Sequence, residues 1–173
     1  MYGKTRRAVA YRTIERPYTR FSKYKKRNFV RGNPHINVVR FDLCNKTKKF
    51  PKRIVLISNK AVQIRHIAIE SARLACNRTL ERTIGKENYH FKFLIYPHHI
   101  LRENPLASGA GADRMSTGMK KSFGKAIGKA AQVKVGKHIM LVETDEKNIP
   151  IAKKALRFAA HKFPMGCSIK VLE

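Results

Sequence analysis

The chain has 173 residues, which suits a single domain, and its hydrophobic content of 43% is enough for a buried core. Lysine and arginine number 38 against 11 aspartate and glutamate residues, a net charge of +27. So many positive side chains repel one another in a compact chain unless a polyanion neutralises them. Nucleic acid is therefore the favoured partner, and an anionic membrane surface is the less favoured alternative. No run of about 18 apolar residues could span a bilayer, and we expect no secretory signal.

Residues 1–33 predict a basic RNA-binding arm. Residues 1–31 hold eleven lysines and arginines against one acid, Glu15, and six aromatic residues are interleaved with them. Lysine and arginine neutralise phosphates, while tyrosine and phenylalanine stack on exposed bases. A plain disordered tail is the alternative, but it would need only the charge, so we favour an arm that folds against RNA. The candidate RNA contacts here are Arg6, Arg7, Arg12, Arg20, Lys23, Lys25, Lys26, Arg27 and Arg31.

Residues 34–173 predict a globular core. Strands are expected over 36–42 and 53–58, followed by a helix over about 60–83 with Ile67 and Ala72 on its apolar face and His66 on a solvated polar face. An alternating strand over 89–96 stops at Pro97.

After the loop described below, two apolar runs over 131–135 and 138–143 flank Gly136-Lys137, a pattern typical of a hairpin. A last helix over about 148–162 has a core stripe from Ile149 to Phe163, and a strand follows over 168–172. This irregular alternation predicts a single α+β domain in which a mixed sheet is packed by two helices.

A glycine-rich loop is expected over about 102–129, and it holds five of the ten glycines. Glycine lets backbone N–H groups approach phosphates closely, and neighbouring cations would neutralise them. A mobile surface loop without a special role is the alternative. The loop's candidate RNA contacts are Arg102, Arg114, Lys120, Lys121, Lys125 and Lys129.

The sequence offers little for catalysis or cofactors. The spacing around Gly124 and Gly128 fails the Walker A pattern, and Gly109 and Gly111 lack the third glycine of a dinucleotide fingerprint. His98 and His99 have no partner at metal-ligand spacing, and no carboxylate pair is visible. Three scattered cysteines, Cys44, Cys76 and Cys167, predict buried thiols in a reducing compartment. We therefore expect no enzyme, no catalytic residue, no cofactor and no metal.

Several ordered motifs resemble one family. They are Ala110-Gly111-Ala112-Asp113-Arg114, Thr117-Gly118-Met119, Phe123-Gly124-Lys125, Arg40-Phe41-Asp42-Leu43, Tyr96-Pro97-His98-His99 and Lys162-Phe163-Pro164. The chain is similar over nearly its whole length to the archaeal and eukaryotic large-subunit ribosomal protein L-ten-e (QM protein) family, whose bacterial relative is ribosomal protein L-sixteen. The long arm resembles the archaeal or eukaryotic members, and the compact length resembles the archaeal ones.

This resemblance implies an α/β-hammerhead-type core on large-subunit rRNA near the central protuberance of a cytoplasmic ribosome. It also implies that the glycine-rich loop reaches toward the peptidyl transferase centre and helps to position tRNA. The implied partners are large-subunit rRNA, tRNA and neighbouring ribosomal proteins, without a membrane or a homo-oligomer. The tRNA-facing residues would be Gly109, Gly111, Asp113, Arg114, Thr117 and Gly118.

Two other classes of function stay open at this point. One is a free RNA-binding factor or RNA chaperone that is not stably part of the ribosome. The other is an enzyme acting on tRNA, which would need a cofactor loop or an acid–base pair.

Overall fold

A computed structural model describes residues 6–30, 32–103 and 124–172 of the chain. These residues form two helices, eight strands and a few short 3₁₀ turns. The helices are α1 (His66–Thr83) and α2 (Ile149–Ala160). The strands are β1 (Asp42–Cys44), β2 (Lys52–Ser58), β3 (Val62–Arg65), β4 (Tyr89–Phe93), β5 (His99–Glu103), β6 (Lys125–Val133), β7 (His138–Thr144) and β8 (Cys167–Leu172).

The strands form two sheets. The five-stranded sheet has the order β1-β4-β7-β2-β8, and the three-stranded sheet has the order β3-β6-β5. Every strand pair in the described residues is antiparallel. The predicted α+β class is confirmed, but two antiparallel sheets replace the single mixed sheet that was expected.

One core joins both helices to both sheets. The alternation along β4 buries Tyr89, Phe91 and Phe93 completely, as the period of two in a half-buried strand requires. The helices pack against each other over this core, and their buried residues include several alanines, whose small side chains allow close approach. The predicted stripe of α2 is confirmed, since Ala152, Leu156 and Ala159 are fully buried.

The first helix begins later than predicted. Val62–Arg65 pairs with β6 as strand β3, so α1 starts only at His66. The buried face of α1 is therefore turned relative to the prediction, and Ile67 is 41% exposed while Ile69 is fully buried. Sheet pairing outweighed the helical periodicity, because a β-branched apolar residue such as Val62 or Ile64 suits either element.

His66 does not lie on a solvated polar face. It is buried, and its Nδ1 accepts a hydrogen bond from the backbone N–H of Asn37 at 3.1 Å. One turn later, Arg73 donates to both carboxylate oxygens of Glu70 at 2.6 and 2.9 Å, and this pairing lowers the pKa of Glu70. The strand expected over 36–42 is thus mostly an extended segment held against α1, and only Asp42 belongs to a strand.

The predicted hairpin around Gly136-Lys137 is wrong. Strand β6 belongs to the three-stranded sheet and β7 to the five-stranded sheet, so the link carries the chain from one sheet to the other. Gly136 has φ +76°, a left-handed conformation that favours glycine, and its N–H donates to the carbonyl of Ser58 at 2.8 Å. Two apolar runs around a glycine-containing link do not reveal which sheet each run joins.

Other boundaries differ more modestly. Strand β4 ends at Phe93 rather than at residue 96, while the strand expected over 168–172 is present as β8. The expected loop is shorter at both ends, because Arg102 lies in β5 and both Lys125 and Lys129 lie in β6. Its middle, residues 104–123, lies outside the described residues.

Candidate nucleic-acid interface

An amino-terminal strap, residues 6–18, lies against all three strands of the three-stranded sheet. The carbonyl of Arg12 accepts a hydrogen bond from the N–H of Gln63 in β3 at 2.9 Å. The carbonyl of Glu15 accepts one from the side chain of Gln132 in β6 at 2.7 Å. Farther along, the carbonyl of Tyr18 accepts one from the N–H of Ile100 in β5 at 3.2 Å. The backbone of the strap is therefore fixed at three separate points.

The only two glutamines of the chain hold the middle of the strap. Gln63 and Gln132 are direct partners in the β3–β6 register, and the amide of Gln132 donates to the side-chain oxygen of Gln63 at 3.1 Å. Gln63 in turn donates to the carbonyls of Thr13 at 2.6 Å and Tyr11 at 3.3 Å. Polar side chains in a buried strand need such partners, and here the strap backbone provides them.

The start of the strap is joined to the end of β5. Tyr11 packs against Leu101 and Ala130, and its hydroxyl donates to Glu103 at 2.9 Å. Burial, with a further contribution from the Glu103 carboxylate, raises the pKa of Tyr11. Arg6 forms an ion pair with the same carboxylate. Glu103 thus attaches two strap residues to the strand that leads into residues 104–123.

The other end of the strap contacts the same strand. The backbone N–H of Tyr18 donates to Nδ1 of His99 at 2.9 Å, so His99 is a buried structural residue. The guanidinium of Arg102 lies 3.7 Å from the centre of the Tyr18 ring, within the range of a cation–π interaction. These contacts bring together the arm and the base of the loop, which the sequence presented as two separate sites. The domain boundary near residue 33 stays a prediction.

A basic loop, residues 19–30, follows the strap and presents cations beside aromatic rings. Arg20 lies over Phe29 at 4.6 Å, and both Lys23 and Arg27 lie over Tyr24 at 5.5 Å. The rings remain accessible, with Tyr24 58% and Phe29 57% exposed. Lys25 to Arg27 form a single 3₁₀ turn. Accessible rings among cations are what single-stranded RNA recognition requires, since bases stack and phosphates are neutralised together.

The remaining predicted contacts fall into three groups. Arg7, Arg12 and Lys125 are exposed near the strap and the start of β6. Lys129 is only 9% exposed and lies near His66, so we leave it out of the interface proposed below. The third group lies outside the described residues: Arg31, Gly109, Gly111, Asp113, Arg114, Thr117, Gly118, Lys120 and Lys121.

Sequence reasoning missed three residues of this surface. Arg65 lies over the ring of Tyr11 at 5.6 Å and donates to the carbonyl of Arg6 at 3.1 Å. Gln63 and Gln132 hold the strap, as described above. The available signal was that each amide lies between apolar residues of its strand, because buried polar groups are almost always hydrogen-bonded.

Two buried histidines are expected to make the stability of the fold sensitive to pH, and one of them, His99, holds the strap. Burial lowers the pKa of both His66 and His99, and each accepts a backbone N–H through Nδ1. Their folded-state pKa values lie below the unfolded value of about 6.5, so the unfolded chain takes up protons first.

We expect the free energy of unfolding to fall as the pH drops from about 7 toward 5. His99→Asn retains an acceptor that cannot be protonated, so thermal unfolding at pH 7.5 and 5.5 should differ less for this variant than for the wild type. An identical pH dependence in the two proteins would contradict a contribution from His99.

Neither thiol nor metal chemistry has an evident place in the described residues. Cys44, Cys76 and Cys167 are free cysteines, and burial raises the pKa of Cys167 to about 11, so that thiol is protonated at neutral pH. No group of three metal-ligating side chains occurs in residues 6–30, 32–103 and 124–172. Within the same ranges, neither helix is long and apolar enough to cross a membrane.

An α+β core with a cationic, aromatic-bearing surface fixed across one sheet is typical of small RNA-binding proteins. The chain belongs to the ribosomal protein L16p/L10e family, whose model matches residues 17–170.

Individual archaeal proteins agree with this membership. The large ribosomal subunit protein uL16 of Archaeoglobus fulgidus is 46% identical over 164 residues, which cover 95% of this chain and 91% of that protein. The uL16 protein of Methanocella arvoryzae is 45% identical over 151 residues, covering 86% and 88%, respectively. That of Methanococcus maripaludis strain C7 is 43% identical over 166 residues, covering 96% and 93%. Each similarity covers most of this chain, and the sources agree with the archaeal character expected from the sequence.

Proposed function

We propose that this chain is a structural constituent of the large ribosomal subunit in the cytoplasm and that it binds large-subunit rRNA. Its family membership and the names of its archaeal relatives support this role, and they do not support a free RNA-binding factor or an enzyme. The main structural support for the proposed site is the stacking of Arg102 on Tyr18, which joins the strap to the strand that leads into residues 104–123.

The proposed rRNA interface consists of the strap, the basic loop, Arg102 at the end of β5 and the exposed Lys125 at the start of β6. Nine lysines and arginines in residues 6–30 face a single acid, so the field of this segment attracts phosphates. Because the strap is already held by the sheet, part of the ordering cost of binding is met during folding. The exposed rings of Tyr24 and Phe29 add stacking on unpaired bases.

Sedimentation tests the ribosomal role directly. The tagged full chain, expressed in an archaeal host, should sediment with large subunits and remain there through washing at moderate salt. A free factor would be found at the top of the gradient, and that distribution would overturn the proposal. Tagged Arg20→Glu/Arg27→Glu chain should be depleted from the subunit fraction, because it places acids where phosphates are expected.

We further propose that residues around the family motif contact tRNA, namely Gly109, Gly111, Asp113, Arg114, Thr117 and Gly118. The support is the resemblance of this motif, together with the position of β5 and β6, whose ends flank residues 104–123.

Substitution of two cations in the glycine-rich loop tests the proposed contact with tRNA. Arg114→Ala/Lys120→Ala should leave the fold intact but reduce the rate of peptide synthesis by subunits reconstituted with the variant. Unchanged synthesis by fully assembled variant subunits would count against a tRNA contact.

A further inference from the structure

The outer face of the two helices carries a second group of cations. Arg78 and Arg82, one turn apart on α1, line an open cleft of about 330 Å³ together with Ile151, Lys154 and Phe158 of α2. Arg78, Arg82, Lys154 and Phe158 are all exposed, and the ring of Phe158 is 43% exposed. Among the described residues no acid lines this cleft, and Glu81 on the same helix pairs instead with Lys86 at 2.9 Å.

This helix cleft lies on the other side of the three-stranded sheet from the strap. Ala131 and Val133 of β6 belong to the core that the helices cover, whereas Ala130 of the same strand packs against Tyr11 of the strap. The sheet therefore separates the two cationic surfaces. An RNA segment bound at the strap would therefore not also contact the helix cleft without passing around the sheet.

The chemistry of the cleft favours RNA as its occupant. Arginine side chains form paired hydrogen bonds with phosphates, and Arg78 and Arg82 lie on one helix face because they are four residues apart. An exposed aromatic ring lines the same cleft as these arginines, and exposed rings and cations also occur together in the basic loop. An acidic protein segment is the alternative occupant, and cross-linking from position 158 distinguishes it from RNA.

We propose that the helix cleft is a second RNA-binding surface, so that the protein bridges two separate rRNA segments held on opposite sides of its three-stranded sheet. This inference rests on the proposed ribosomal function. The new element is that the protein connects two rRNA segments, whereas the proposed function requires binding to only one.

Two variants with equal charge loss separate the surfaces. The helix variant is Arg78→Gln/Arg82→Gln/Lys154→Gln. The variant of the basic loop, called the loop variant, is Arg20→Gln/Lys23→Gln/Arg27→Gln. Binding of the full chain to transcribed large-subunit rRNA is measured over a series of salt concentrations, and hydroxyl-radical footprints are recorded. Each variant should reduce the slope of log affinity against log salt by about 2 to 3, at 0.7 to 0.9 for each lost phosphate contact. Each variant should also lose protection at a different rRNA segment.

The outcomes distinguish this inference from the function on which it rests. A helix variant with the wild-type slope and the full footprint overturns the second surface, whatever the loop variant does. If only the helix variant is impaired, RNA binding at the helix cleft stands, whereas the proposed basic-loop interface fails and the bridging of two rRNA segments fails with it. The charge-preserving Arg78→Lys/Arg82→Lys should retain the slope, which separates loss of charge from damage to the fold.

Cross-linking identifies the occupant in the assembled subunit. A photoreactive benzoylphenylalanine in place of Phe158 should form an adduct with rRNA when reconstituted large subunits are irradiated. An adduct with a ribosomal protein alone would overturn the proposal and would indicate an acidic protein segment in the cleft.

Discussion

Replacing Arg20, Lys23, Lys25, Lys26 and Arg27 with glutamine is expected to remove about four units from the slope of log affinity against log salt for large-subunit rRNA, at 0.7 to 0.9 for each phosphate contact. Over a tenfold rise in salt, the wild type should then lose about 10⁴-fold more affinity than the variant. The physical reason is the release of counterions from phosphates that these side chains neutralise. Filter binding or fluorescence anisotropy from about 0.05 to 0.5 M salt measures the difference.

A matched variant separates this site from a general effect of charge. Five exposed lysines outside the proposed interface can be replaced by glutamine with the same change of net charge: Lys49, Lys60, Lys134, Lys137 and Lys170. We expect this control to retain most of the wild-type slope. An equal loss of slope in both variants would show that attraction to RNA is spread over the surface and is not concentrated in the basic loop.

The second large effect is expected at the glutamine pair. Gln63→Met/Gln132→Met removes the side-chain donors for the carbonyls of Thr13 and Glu15 while keeping similar volume. Leaving these partly buried carbonyls unpaired costs at most about 1 to 3 kcal/mol each, so we expect the strap to detach from the sheet before the core unfolds. Hydrogen exchange at the backbone amides of position 63, Tyr18 and Ile100 should become faster, while exchange in β2 and β7 stays slow.

An isosteric variant distinguishes hydrogen bonding from packing. Gln132→Glu keeps the shape but places a carboxylate beside the carbonyl of Glu15, so it should accelerate exchange at the strap contacts as the methionine pair does. Ser168→Ala, which removes an exposed hydrogen bond to Asn59 at 2.6 Å, serves as a remote control. Slow exchange of the Tyr18 and Ile100 amides in both glutamine variants would show that apolar contacts alone hold the strap.

The elements predicted correctly from the sequence are those whose hydrophobic pattern is compatible with only one kind of secondary structure. The stripe of α2 and the alternation of β4 were found from periodicity because each element buries one face against one core. The start of α1 and the partner of β7 were not found. Short apolar runs such as Val62–Arg65 suit a helix or a strand, and the choice of sheet depends on contacts far away in the chain.

The candidate site was predicted in composition but not in arrangement. Charge and aromatic content identified the amino-terminal cations, because those properties need no knowledge of the fold. The joining of Tyr18 to Arg102 and the burial of Lys129 depend on how the strap and β6 lie in three dimensions. His66 was misjudged for the same reason, since its partner Asn37 comes from a segment that was expected to be a strand.

The hydrogen bonds of the strap also constrain the order of events during synthesis. Glu15 and Gln132 are separated by 117 residues along the chain, and Tyr18 and His99 by 81. Because a polypeptide emerges amino terminus first, the strap leaves the exit tunnel long before the strands that receive it. The most basic part of the nascent chain is therefore without its sheet throughout most of translation. Docking of the strap therefore waits until β3, β5 and β6 have formed their sheet.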